Sequence, residues 1–76
     1  MSEQPDEIKK LVNIAKDMQF SRDMRAKAID QIGAIISYDA LLALLQIAAD
    51  ENLAVSDRDR ALKVARDVVK KTSHHQ

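Results

Sequence analysis

The sequence predicts an all-α fold: a four-helix α-solenoid fragment made of two antiparallel helical hairpins. Three observations predict it. The chain nearly repeats itself at a spacing of 33 residues, so that residues 6–36 slide onto 39–69: Leu11-Val12 meets Leu44-Leu45, Ile14-Ala15 meets Ile47-Ala48, Asp17 meets Asp50, Arg25 meets Arg58, and Ala28-Ile29 meets Ala61-Leu62. A fixed period of this length marks repeat units that bury their apolar faces by stacking on one another. One glycine and one proline in 76 residues argue for helices and against a turn-rich sheet. Apolar residues also recur at helical spacing in four separate segments.

The first segment runs from about Pro5 to Met18. Pro5 suits a first turn, Asp6 and Glu7 favour its positive end, and Ile8, Leu11, Val12, Ala15 and Met18 form one stripe. The second runs from about Asp23 to Ile36 with Ala28, Ile29, Ile32, Ile35 and Ile36 inward; Ser21 or Asp23 can cap it, and the repeat register favours Asp23, which aligns with Ser56. Ser37 opens the third, which ends near Glu51 or Asn52. The fourth extends from Ser56 to about Lys71, opened by Ser56-x-x-Asp59, with Ala61, Leu62, Ala65, Val68 and Val69 as its stripe.

Short connections force sequential helices to lie side by side. Phe20 and Leu53 hold equivalent places in the two inner turns and read as plugs at the ends of their hairpins. The expected organisation is one domain over 1–76, with unit one at about 5–36, unit two at about 37–71 and a fraying tail at 72–76. The shared core is expected to hold Ile8, Leu11, Val12, Ala15, Phe20, Ile29, Ile32, Leu41, Leu44, Leu45, Ala48, Leu62, Ala65 and Val69.

Twelve basic residues balance twelve acidic ones, so no global field favours nucleic acid. The distribution is uneven: residues 37–55 carry Asp39, Asp50 and Glu51 and no Lys or Arg, whereas 56–76 carry six basic residues against Asp57, Asp59 and Asp67. Helix dipoles account for much of this, with Asp near helix starts and Lys or Arg near their ends. No cysteine is present, which removes disulfides, thiolate metal sites and thiol nucleophiles and fits a reducing, cytoplasmic setting. The longest apolar stretch, Ala40 to Ala49, is too short to span a bilayer.

The second and third segments resemble HEAT-type repeats, in the short form found in phycobilin-lyase-like proteins. Asp39-Ala40-Leu41-Leu42-Ala43-Leu44-Leu45-Gln46-Ile47-Ala48 is similar to the first helix of that repeat. Asp23-Met24-Arg25-Ala26-Lys27-Ala28-Ile29-Asp30-Gln31-Ile32-Gly33 is similar to the second, including the Arg before the alanines and the Gly after the second apolar residue. The resemblance covers residues 5–71. It implies a stacked-helix fold, a close helix approach at Gly33, and ion pairs between units made by Arg25 and Arg58 with carboxylates such as Asp23, Asp57 and Asp59. Unit two departs from the pattern at Asp57 and Arg66, as a polar end unit would.

Nothing points to catalysis, a metal or a cofactor. His74 and His75 are the only imidazoles and adjoin in the tail, the acidic pairs fall at helix ends, and neither a glycine-rich phosphate loop nor a Ser-His pairing occurs. The expected function is non-catalytic: a protein–protein interaction or assembly module, with homodimerisation as one way to extend a two-unit stack. The alternative is a small nucleic-acid-binding protein using the basic fourth helix, disfavoured by zero net charge and two aromatic residues. The third helix gives the sharpest hint. Lys9, Lys10 and Lys16 of unit one become Leu42, Ala43 and Ala49, leaving this helix apolar nearly all round. Leu42 and Ala49 lie on one flank, Ile47 and Ala40 on the other, and the four form the candidate partner surface.

Overall fold

The computed structural model describes residues 5–73, so expectations for His74 and His75 fall outside the described residues. Four helices form, with no strand among those residues: α1 (Asp6–Lys16), α2 (Arg22–Ala34), α3 (Tyr38–Ala49) and α4 (Val55–Thr72). The most extensive packing is of α3 on α4 and of α1 on α2. Contact between α2 and α4 joins the two pairs, supplemented by α2–α3 and α1–α3.

Local chemistry sets the helix ends. The backbone of Asp17 turns extended and stops α1 at Lys16; Asp50 does the same after α3. These two turns share their hydrogen bonds at the 33-residue offset. Asp17 N–H donates to the Ile14 carbonyl and Asp50 N–H to that of Ile47, each at 3.2 Å, while Gln19 and Asn52 N–H each donate to the aspartate Oδ1 at 2.9 Å. The side chain of Asp17 or Asp50 thus builds an Asx turn that carries the chain into the next helix.

Ser37 caps α3, its hydroxyl accepting from Ala40 N–H at 3.0 Å. The cap of α2 is Ser21 rather than Asp23: its hydroxyl accepts from Met24 N–H at 3.1 Å, and because Arg22 is already helical, Asp23 falls in the first turn. For the same reason Ser56 is not the cap of α4. The chain enters that helix at Val55 and leaves Ala54, which has no side-chain acceptor, in the cap position. Between α2 and α3, Ile36 takes φ 49°, a left-handed conformation that costs a β-branched residue about 1–2 kcal/mol.

The core is built by Ile8, Ala15, Ala28, Ile29, Ile32, Ala40, Ala43, Leu44, Ile47, Leu53, Ala61, Ala65 and Val68. Leu11, Val12, Leu41 and Ala48 pack against it partly buried. Four residues expected inside are exposed instead: Phe20, Leu45, Leu62 and Val69. For the last three the reason is positional. They face away from α1 and α2, and among the described residues no further helix covers that side of α3 and α4. Of the two turn plugs, only Leu53 is buried.

Gly33 sits where α2 meets α4. A Cβ at this position would run into Cγ1 of Val64, so the close approach expected from sequence is present, and its neighbour is known. Gly33→Ala is expected to destabilise the protein by about 1–3 kcal/mol through overpacking, outweighing the roughly 1 kcal/mol by which Ala favours a helix interior. Urea denaturation of Gly33→Ala beside Gly33→Ala/Val64→Ala measures this, since trimming Val64 removes the obstructing methyl and should recover part of the loss.

Candidate functional site

Two features stand out above the packing: a buried ion pair between α2 and α4, and an apolar groove between α3 and α4. Arg25 Nε donates to Asp57 Oδ2 at 2.8 Å, with the side chains 8% and 2% exposed. A second guanidinium nitrogen, Nη1, donates to the Phe20 carbonyl at 2.6 Å. Asp57 lies in the first turn of α4, so its carboxylate also sits at the positive end of that helix. Among the described residues no buried side-chain nitrogen or oxygen lacks a hydrogen-bond partner. The pair therefore ties α2 to α4 with its polar atoms satisfied, a structural arrangement rather than a reactive one.

The other three residues expected in such pairs, Arg58, Asp23 and Asp59, do not join one, and Asp59 is exposed on α4. Asp23 is exposed on α2. Arg58, the register equivalent of Arg25, donates from Nε to the Ala48 carbonyl at 3.0 Å, satisfying a carbonyl at the end of α3 that has no partner within its helix. Two ion pairs went unforeseen. Arg60 makes a bidentate contact with Asp30 at 2.9 and 2.6 Å, and Lys16 lies 3.1 Å from Asp50. The Asp50 carboxyl is held below its ordinary value, first by the Asn52 backbone N–H and then by Lys16. Both pairs join residues about 30 positions apart, which a repeat register brings close but single-helix spacing does not reveal.

The structure divides the four residues of the expected partner surface. Ala40 and Ile47 are fully buried and drop out of it, because their flank of α3 faces the first two helices. Leu42 is 38% exposed, and Ala49 is exposed as well. On the exposed side a groove of about 340 Å³ opens between α3 and α4, lined by Leu41, Leu45, Leu62, Ala65 and Val69, with Arg66 and Lys70 among its lining residues. Leu45, Leu62 and Val69 are each more than two-fifths exposed. Apolar helical spacing assigned these three to the core, and spacing alone carries no signal of what lies opposite them.

Two exposed apolar stripes run along these helices and reach the groove at Leu45, Leu62 and Val69. On α3, Tyr38, Leu42, Leu45 and Ala49 succeed one another at spacings of four, three and four. On α4, Val55, Leu62 and Val69 recur every seven residues. Both spacings keep a stripe on one side of its helix for the helix's full length.

Of the six basic residues at 56–76, Arg58 and Arg60 are already engaged with this chain's own oxygens. Lys63, Arg66 and Lys70 lie together on α4 with Asp67 between them. Among the described residues no helix is long and apolar enough to cross a membrane, and no group of three or more His, Cys, Asp or Glu is placed to hold a metal ion. In comparisons with protein-family models, curated proteins and solved structures, the chain matches none.

Proposed function

We propose that this chain is a non-catalytic protein–protein interaction or assembly module, built from two HEAT-like helical hairpins. The observation that carries the reading is the groove between α3 and α4. In a chain of 76 residues, where apolar surface for a core is scarce, Leu45, Leu62, Val69 and Val55 are left in contact with water along one side. Contiguous exposed apolar surface rimmed by polar residues marks an interaction site far more often than isolated exposed leucines do. The repeat-like register supports a stacked-helix scaffold, and such scaffolds present extended surfaces to other macromolecules.

Nucleic-acid binding by α4 is the weaker reading. Only part of its basic set is free of intramolecular bonds, Asp67 interrupts that part, and the exposed aromatic residues on which bases could stack are Tyr38 and Phe20, away from it in sequence.

The test is a photoreactive amino acid placed at Leu62, inside the groove, or at Gln31, an exposed polar position of α2, in the full chain within cells. Covalent protein adducts are expected from position 62 and not from 31. Equal labelling from both positions, or adducts to RNA in place of protein, would overturn the reading.

A further inference from the structure

The two ends of the helical stack are chemically unlike, and this difference identifies what covers the groove. Residues of α1 and α2 on the outer side, Glu7, Lys10, Lys27 and Gln31, are exposed and polar. Their equivalents 33 positions later, Ala40, Ala43, Arg60 and Val64, belong to the contact with unit one, and three of the four are apolar. The first unit is therefore closed by polar substitution. At the other end the substitution is confined to one edge, where Arg66 stands in the place of Gly33 and lines the groove beside Lys70. Ile8, Val12, Ile29 and Ile32 pack inward in unit one, and their equivalents Leu41, Leu45, Leu62 and Ala65 keep the same apolar character around an open groove.

Resting on the interaction-module reading, we infer that a second copy of this chain occupies the groove, forming a closed two-fold dimer through α3 and α4. Head-to-tail stacking would set the apolar groove against Glu7, Lys10, Lys27 and Gln31, stranding charges on apolar surface. A two-fold pairing sets groove on groove and makes a closed, self-complementary contact.

Charge selects the way the copies meet. The segment from Ser37 to Val55 has three acidic residues and no basic one, whereas the stripe of α4 is flanked by Arg58, Arg66 and Lys70 against Asp59 alone. Laying α4 antiparallel on α4 about Leu62 would bring Arg66 opposite the second copy's Arg58. Laying α3 of one copy over α4 of the other avoids that and places the acidic segment against the basic one. Helices of 12 and 18 residues side by side offer a face that can bury about 600 Å² per partner, the lower end for a stable dimer.

Sedimentation equilibrium of the full chain, from micromolar to millimolar concentration, tests the inference. The mass is expected to rise from 8.5 kDa to twice that value and stop there. Leu45→Lys and Leu62→Glu should each hold the protein at the monomer mass with the parental helical spectrum, since both side chains are more than two-fifths exposed in the single chain. If a leucine variant loses its helices, Arg66→Glu decides: an exposed rim charge counted twice by the symmetry should weaken the dimer about tenfold. A cysteine-attached spin label, in a chain with no cysteine of its own, should report a single distance that is shorter from Gln46 than from Gln31.

A parent that stays monomeric throughout, growth beyond the dimer, or dimers that survive all three substitutions would overturn the self-pairing. If the parent is monomeric and position 62 still crosslinks a different protein in cells, self-pairing is wrong and the interaction reading stands. If neither association is seen, both fall.

Discussion

Asp57→Ala is expected to destabilise the protein by about 3–5 kcal/mol, the cost of leaving one member of a buried ion pair without its partner. Arg25 is 7% exposed, and its Nε would face the vacated site with no acceptor, keeping only the Phe20 carbonyl on Nη1. A domain of this size rarely has more than about 3–5 kcal/mol in total from its core. The variant should therefore be largely unfolded at 25 °C, a result that far-UV circular dichroism reads directly. The paired replacement Arg25→Met/Asp57→Leu should recover most of the folded signal, because apolar side chains of similar size in place of a buried ion pair often leave stability unchanged or improve it. Recovery would show that the loss belongs to the stranded guanidinium. A fully folded Asp57→Ala variant would show that water reaches Arg25 and that the pair adds little.

The pair also shows how far the sequence alone could be read. The resemblance to HEAT-type repeats put Arg25 and Asp57 among the candidates for joining the two halves, and they do meet across α2 and α4. It put Arg58 in the same role, yet Arg58 turns to the end of α3 and donates to the Ala48 carbonyl. The groove was missed for a different reason. Apolar periodicity says that Leu45, Leu62 and Val69 share a side with core residues, but not whether anything lies opposite them. Burial belongs to the whole fold, and two positions with the same local pattern, Ile29 and Leu62, differ because one has packed neighbours and the other has water. Helix starts were misplaced by a residue or two where Asp23 and Ser56 suggested caps, since a cap is fixed by where the chain actually enters the helix. Ser37 and Gly33 were readable because each depends on a demand made where it stands: a hydroxyl at a helix start, and a helix surface without a side chain.

The two flanks of α3 should respond oppositely to a charge. Ile47 is 0% exposed and belongs to the shared core, so Ile47→Lys removes a well-packed apolar side chain and leaves an ammonium with no partner. Loss of the isoleucine packing alone costs about 2–5 kcal/mol, and burial of the unpaired charge adds to it. The variant is expected to lose its cooperative melt. Leu42 is 38% exposed, and its register equivalent in unit one is Lys9, so a lysine at 42 can keep its stem along the helix while its head reaches water. Leu42→Lys should stay folded, with a stability change below about 1 kcal/mol. Thermal denaturation of the two variants beside the parent tests the assignment of flanks. A cooperative melt near that of the parent in Ile47→Lys would mean that this flank faces water. Collapse of Leu42→Lys would mean that its side chain is part of the core and that the exposed stripe of α3 is interrupted between Tyr38 and Leu45.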